Sequence, residues 1–300
     1  MNLHTFRESP PDWLGAALER FEHQFEYPLG ADATFRISHG RAYLPFFEAI
    51  GTPTLLVAEK AGEVLGTLVR VERWIELNGS RPMKQLVHYL ADLKVSPQAR
   101  GSRVLARLMI ETKRQIEQTN SRSCYSIVMN GTGRLPTDYT GRLGIPQFEK
   151  IAEIMVMRIS DGNQVTSNVM STLELPACIA TGGKRALRSL MEPIPLSNGA
   201  WLEDTRRGKR LWSNCGEELL SAHLSSFRFK DSEEGAGLIR QAIGHAKTNG
   251  FPALFTSVPI SSYPKLRAAL PDLQIQEAPA SIYAHQISTR HDWWVDTSEI

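Results

Sequence analysis

The sequence predicts a mixed α/β fold with a mixed central sheet, carried by two related domains. Three observations lead there. The chain has 300 residues, above the roughly 250 at which a single core stops growing efficiently. Segments with strand and helix patterning alternate along it. The helix, strand, helix, strand order of the first half returns after residue 235.

Each element follows from local pattern. Residues Trp13 to Phe25 carry apolar side chains at helical spacing. Thr54 to Val71 reads as two strands joined by the turn Lys60-Ala-Gly-Glu63. Gln85 to Val95 is a further strand, ended at Ser96-Pro97 because proline has no ladder donor. From Arg100 to Gln118, Val104, Leu105, Leu108, Met109 and Ile116 recur at i, i+3, i+4 and predict an amphipathic helix. Cys124–Met129 is a short buried strand, closed by Asn130-Gly-Thr-Gly133, and Ile151–Ile159 is another. In the second half Gly235–Asn249 is helical, Ala253–Val258 a strand, Ser262–Leu270 helical and Ala280–Ile287 a strand. The stretch 160–200 is rich in Ser, Thr, Asn, Gly and Pro, with a short basic helix at Lys184–Leu190. The expected division is 1–162, a linker 163–200, and 201–300.

Composition excludes several classes. A formal charge of +2 does not argue for a nucleic-acid partner, and any basic patch is local. Arg206-Arg-Gly-Lys-Arg210 lacks interleaved aromatics, so it reads as a surface turn. The three cysteines, Cys124, Cys178 and Cys215, form no CxxC pair, which suggests neither a disulfide framework nor a zinc site, and they read as buried thiols. No apolar run reaches the roughly 18 residues of a membrane span. The first residues carry no secretory pattern, which makes a cytoplasmic location the expectation.

Leu93-Lys-Val-Ser-Pro-Gln-Ala-Arg-Gly-Ser-Arg-Val104 resembles motif A of the GNAT superfamily of N-acetyltransferases, written L-x-V-x-P-x-x-R-G-x-G-[IV]. The resemblance covers about residues 36–160. A helix N-terminus leaves about four unpaired N–H groups and about half a positive charge, which suits a pyrophosphate. The resemblance implies that Gln98, Arg100, Gly101, Ser102, Arg103 and Val104 hold the pyrophosphate of acetyl-CoA. It further implies that the backbone of Leu93, Lys94 and Val95 pairs with the pantetheine arm, and that Asn130 ends the strand that splays to admit it. The sequence departs from the family where Arg103 replaces a glycine or alanine and Leu105 another small residue. Arg103 either folds back over the loop or swings out to pair with a phosphate, and the second is the expectation.

Acyl transfer to an amine needs a neutral amine, an oxyanion stabiliser and a proton for the thiolate. On the strand before the loop, alternation places His88 and Asp92 on one face and Tyr89 on the other, with Ala91 where some relatives carry Glu. Asp92 is the candidate base or binder of a cationic substrate, against a structural carboxylate at a strand end. His88 has the right titration range for a base, against a satisfied core histidine. Tyr139 is the candidate acid, although the family register puts Thr140 at that position. Arg103, Arg107, Lys113 and Arg114 form either a funnel for coenzyme A or an acyl carrier protein, or a solvated helix face.

The second half has no matching loop before its helix, and Asp231, Glu233 and Glu234 would repel a pyrophosphate. It is expected to be a degenerate GNAT-like domain. The resulting expectation is an acetyl-CoA-dependent N-acyltransferase acting on a small-molecule amine without a metal. The alternatives are a non-catalytic acyl-CoA-binding or regulatory module, and an enzyme charged by an acyl carrier protein.

Overall fold

The computed structural model describes residues 1–29, 33–78, 83–131, 133–160, 178–180, 194–287 and 291–300. Most of the expected linker, and its basic helix at 184–190, lie outside the described residues. Thirteen strands among the described residues form one continuous mixed sheet. Its N-terminal part comprises β1 (Asn2–Phe6), β4 (Thr52–Lys60), β5 (Glu63–Asn78), β6 (Met83–Val95), β7 (Cys124–Met129) and β8 (Glu149–Ser160). Its C-terminal part comprises β10 (Ile194–Pro195), β11 (Trp201–Glu203), β13 (Ala222–Ser225), β14 (Ala253–Pro259) and β15 (Gln274–His285). Two short strands, β9 (Cys178–Ala180) and β16 (Asp292–Trp294), pair in parallel, and β9 continues onto β5. A separate small sheet joins β2 (Tyr27–Leu29), β3 (Ala33–Ser38) and β12 (Arg210–Ser213), so it draws on both halves.

The order β1-β4-β5-β6-β7-β15-β8-β14-β13-β11-β10 contains a reciprocal exchange. Strand β15 lies between β7 and β8, and β8 lies between β15 and β14, with antiparallel pairing throughout. Each half thus lends a long strand to the other, and the halves share one sheet instead of forming two.

Helices cover both faces. On one, α1 (Asp12–Glu22) and α2 (Pro45–Glu48) lie over the largest core, built from Leu14, Leu18, Phe21, Phe46 and Phe47 with Val57, Val71 and Tyr89 of the sheet. On the other, α3 (Val104–Ile116) buries Val104, Leu108 and Met109 against Leu56 and Leu68. A short turn of helix, α4 (Pro136–Tyr139), follows β7. In the C-terminal half α5 (Ser232–Thr248) and α6 (Tyr263–Ala268) pack on β11, β13 and β14 around Leu224, Leu238, Ile239 and Leu266. Among the described residues no helix is long and apolar enough to cross a membrane. Cys124 is buried, as expected, whereas Cys215 is exposed. Trp293 and Trp294 are both buried and dock the C-terminal segment, Trp293 against Tyr125 and Trp294 against Phe229.

Candidate active site

Strands β6 and β7 are parallel neighbours only at His88↔Cys124 and Tyr89↔Tyr125. Beyond that point they splay. The segments Leu90–Leu93 and Ser126–Met129 become the two lips of a cavity of about 260 Å³. Its walls are mostly apolar, with Phe35, Phe46, Phe47, Leu211, Val156 and Phe255 among them. Ser126 lines it with a buried hydroxyl that has no hydrogen-bond partner among the described residues.

A cluster of buried charges closes one end. Asp92 sits in a β-bulge, since Val69 pairs with Ala91 and Thr67 with Lys94, and the extra residue has φ +52°. The bulge turns Asp92 off the His88 face and towards the face of Tyr89 and Ala91, which corrects the alternation expected from the sequence. There its carboxylate accepts hydrogen bonds from Tyr43 Oη and stands 2.5 Å from Lys94 Nζ. Lys94 Nζ also lies 3.3 Å from Glu22 Oε1, and Glu22 pairs with His39 Nδ1 at 2.6 Å and accepts from the His39 amide at 2.9 Å. Tyr43 has φ +59°, so both ends of the Tyr43–Asp92 bond are residues held in the left-handed region. Strain of this kind, of order 1–3 kcal/mol per residue, persists where surrounding contacts overdetermine it.

The electrostatics follow from geometry. Burial pushes the Asp92 carboxyl up, but Lys94, His39 and the bonds from Lys94 and Tyr43 outweigh it and hold Asp92 below its usual range. Burial likewise opposes the Lys94 charge, and Asp92, Tyr27 and Glu22 outweigh it, so Lys94 is raised. Burial also pushes the Tyr27 hydroxyl up to about 12. Atoms of Glu22, His39 and Asp92 lie within 4.8 Å of one another, a possible metal ligand set. The Lys94 ammonium already bridges the two carboxylates and supplies the positive charge there.

The residues singled out from sequence fall into three groups. Asp92 and Tyr139 line the same cavity, and burial followed by Asp138 and Tyr283 raises the Tyr139 hydroxyl. His88 does not line it: the ring is fully buried, 3.2 Å from Arg70 Nη1 and 2.9 Å from Thr119 Oγ1. Burial first, then Arg70, lowers its pKa. His88 therefore matches the satisfied core histidine. Thr140 donates to the Pro136 carbonyl at 2.8 Å and accepts from the Phe148 amide at 3.1 Å, so it ties a turn.

In the loop, Gln98, Arg100, Gly101, Ser102 and Arg103 are exposed while Val104 is buried. Gly101 has φ +78° and nothing within 4 Å of a notional Cβ, so the backbone there is open to close approach. Arg103 precedes α3 at φ −80° and needs no glycine, and its guanidinium has no partner among the described residues. The edge of β6 beyond Tyr89 is unpaired on the β7 side, which leaves Leu93, Lys94 and Val95 with backbone facing the gap; Leu93 lines the cavity, and the Lys94 side chain belongs to the charge cluster. Asn130 does not line the cavity: its amide donates to the Pro279 carbonyl at 2.8 Å and its Oδ1 accepts from Ser281 Oγ at 2.8 Å. On α3, Lys113 pairs with Glu117 at 2.6 Å and Arg114 with Glu111 at 2.6 Å, and Arg107 reaches the Met1 carbonyl. That is the solvated helix face.

Sequence pattern alone missed Glu22, His39 and Tyr43. Glu22 carried a signal: it lies four residues after Leu18 and eight after Leu14, on the buried stripe of α1. A carboxylate there needs a buried cation.

No protein-family model matches the chain, and no curated protein matches it in sequence. Solved structures do. Saccharomyces cerevisiae N-myristoyltransferase with bound myristoyl-CoA matches with TM-score 0.54 at 9% identity, over 94% of this chain and 83% of that one. A second structure of that yeast enzyme with bound myristoyl-CoA gives TM-score 0.55 at 9% identity, over 95% and 79%. A third, with bound myristoyl-CoA and inhibitors, gives 0.54 at 11%, over 94% and 80%. With the β6/β7 splay, the glycine loop before α3 and this match over nearly its whole length, the chain has the GNAT-type N-acyltransferase fold.

Proposed function

We propose that the chain is an acyl-CoA-dependent N-acyltransferase that moves an acyl group directly to an amine. One observation carries this reading: the splay between β6 and β7 starts beside an open helix N-terminus and leads into an apolar cavity that ends on Asp92. The residues fit the donor. The exposed turn at Gly101 and the start of α3 offer unpaired amides for the pyrophosphate, and the free edge of β6 faces the gap where the pantetheine arm would lie. Acetyl is the group implied by the motif. A cavity of about 150 Å³ already admits benzene. One of about 260 Å³ with this apolar lining suits an acyl group longer than acetyl.

The donor supplies a thioester carbon. The amine nitrogen bonds to it, the carbon–sulfur bond breaks, the amine loses a proton and the thiolate gains one. Asp92, kept ionised by Lys94 and Tyr43, accepts a hydrogen bond from the incoming amine and orients it. Its depressed basicity makes it an orienting group before it is a base. Tyr139 stays protonated and is the candidate proton donor to the departing thiolate. Fold-level likeness supports acyl transfer only by analogy.

Calorimetric titration of octanoyl-CoA and acetyl-CoA tests the reading. Both are expected to bind saturably, octanoyl-CoA the tighter, and Gly101→Glu to abolish both by placing a strained, charged side chain in the loop. Absence of binding by either at millimolar concentration would sink it.

A further inference from the structure

A second pocket, of about 720 Å³, abuts the first. Its lining includes Arg36, Arg41, Arg206, Arg207, Lys209 and Arg210, against Glu19 as the acidic group among the described lining residues. A concave surface of one sign concentrates ions of the other. The basic loop 206–210, expected to be a surface turn, is a turn at 206–208 that also lines this pocket. Gly208 and Lys209 are buried, and a Cβ at Gly208 would stand 2.6 Å from the Phe46 backbone, so this loop is pressed onto α2.

Some of these cations are already neutralised. Arg41 pairs with Glu19 at 3.4 Å, Arg206 with Asp204 at 2.8 Å and Arg210 with Glu218 at 3.6 Å, Lys209 donates to the Ile300 carbonyl, and the exposed Arg207 also has a partner. Among the described residues Arg36 has no such pair, and its Nε is buried without a hydrogen-bond partner. A buried guanidinium nitrogen left unsatisfied costs free energy that an anionic ligand recovers.

Two side chains join this pocket to the acyl cavity. His39 and Lys209 line both spaces. Atoms of His39 and Asp92 lie within 4.8 Å of each other, so the carboxylate lies next to a side chain that both pockets share.

We propose that the acceptor is an amine that also bears an anionic oxyacid group, a carboxylate or a phosphate. The anion sits in the basic pocket near Arg36 and Arg207, and the amine reaches Asp92. The C-terminal half, through the 206–210 loop, thereby selects the acceptor for a donor held by the N-terminal half. This assignment rests on the acyltransferase reading, but its test does not require turnover.

The probes are product-like pairs: N-octanoylglycine against N-octanoylglycinamide, and N-octanoylphosphoethanolamine against N-octanoylethanolamine. Calorimetry at low salt is expected to show at least one anion bound about tenfold or more tighter than its neutral partner. Which pair shows the gap distinguishes carboxylate from phosphate. In Arg36→Gln/Arg207→Gln the gap is expected to shrink to about threefold or less, with octanoyl-CoA affinity and thermal melting unchanged. The single variant Arg207→Gln, at an exposed position, gives a partial loss that does not depend on the half-buried Arg36. Equal binding of anion and neutral, a gap that survives in the double variant, or no binding of either anion at millimolar concentration overturns the proposal. Loss of octanoyl-CoA binding with the anion gap intact would instead overturn the donor reading.

Discussion

The two halves place a helix after the inner end of a parallel strand pair, and the two helix starts differ. Before α3 the N-cap residue Arg103 makes no cap, the Val104 amide alone is taken by a side chain, Ser102 Oγ at 3.3 Å, and the first turn holds no acidic residue. Before α5, Asp231 accepts from the Glu234 amide at 3.0 Å, and Glu234 accepts from the Lys230 amide at 2.7 Å. One start is open to an external anion and the other is satisfied by its own carboxylates. The strand gaps differ in the same sense. The β6/β7 splay opens into a cavity, whereas the β13/β14 pair, parallel at Ala222↔Leu254 and His223↔Phe255, is bridged by the C-terminal segment. Ser298 Oγ lies 2.8 Å from Ser225 Oγ and donates to Glu203 at 2.8 Å, Thr297 Oγ1 stands 3.0 Å from His223, and Asp296 accepts from the Ser226 amide. The same topology therefore carries an open gap or a structural seam, and the choice lies in a few polar side chains.

The largest effect should come from the charge cluster at the open gap. Lys94→Met leaves the Asp92 and Glu22 carboxylates facing each other in the core, and removing one partner of a buried pair costs about 3–5 kcal/mol. Urea unfolding is expected to show a loss of that size. Its pH dependence is also set. The folded pKa of Asp92 is lowered, so its contribution is present above the unfolded value, about 3.9, and is lost as pH falls through the folded one. That of Lys94 is raised, so its contribution is present below about 10.4 and is lost as pH rises through the folded value. The stability difference between the native protein and Lys94→Met should therefore be flat across neutral pH and shrink in acid. A difference that grows in acid would refute the pairing.

What sequence made legible was local. The strand Cys124–Met129 is found where its apolar run predicts it, and α3 follows the spacing of Val104, Leu108, Met109 and Ile116. The hairpin of β4 and β5 turns at Ala61 and Gly62, both at positive φ, inside the expected Lys60–Glu63 segment. The repeated element order was legible as well. The exchange of β8 and β15 was not, because an apolar strand does not state which neighbours it takes. Nor was the cluster, since Lys94 meets Glu22 across 72 residues of chain, and the bulge that re-aims Asp92 has no signature in an alternation pattern. The 206–210 loop was visible as a charge run, but its seating on Phe46 depends on how α2 packs.

A smaller effect sharpens the contrast between the two helix starts. Asp231→Ala removes a cap and is expected to cost about 1 kcal/mol in urea unfolding. It should leave octanoyl-CoA binding and its one-site stoichiometry unchanged. A second binding event in this variant would mean that the closed start of α5 is a latent site and that capping alone separates the halves.

The smallest effect decides how Arg103 acts at the open start. It is exposed and without a side-chain partner among the described residues, so Arg103→Ala should alter stability by no more than about 0.5 kcal/mol. If the guanidinium swings out to a phosphate, the contact is an exposed ion pair worth about 0.2–1 kcal/mol, which weakens octanoyl-CoA binding by up to about fivefold. The weakening should fade as salt rises, because exposed pairs are screened over about 8 Å at physiological ionic strength. If instead the side chain folds over Gly101 and obstructs the loop, removing it must tighten binding at every salt concentration. The φ of −80° at Arg103 and the open space at Gly101 favour the first outcome, because Arg103 sits in an ordinary backbone conformation and no side chain, its own included, occupies the space over Gly101.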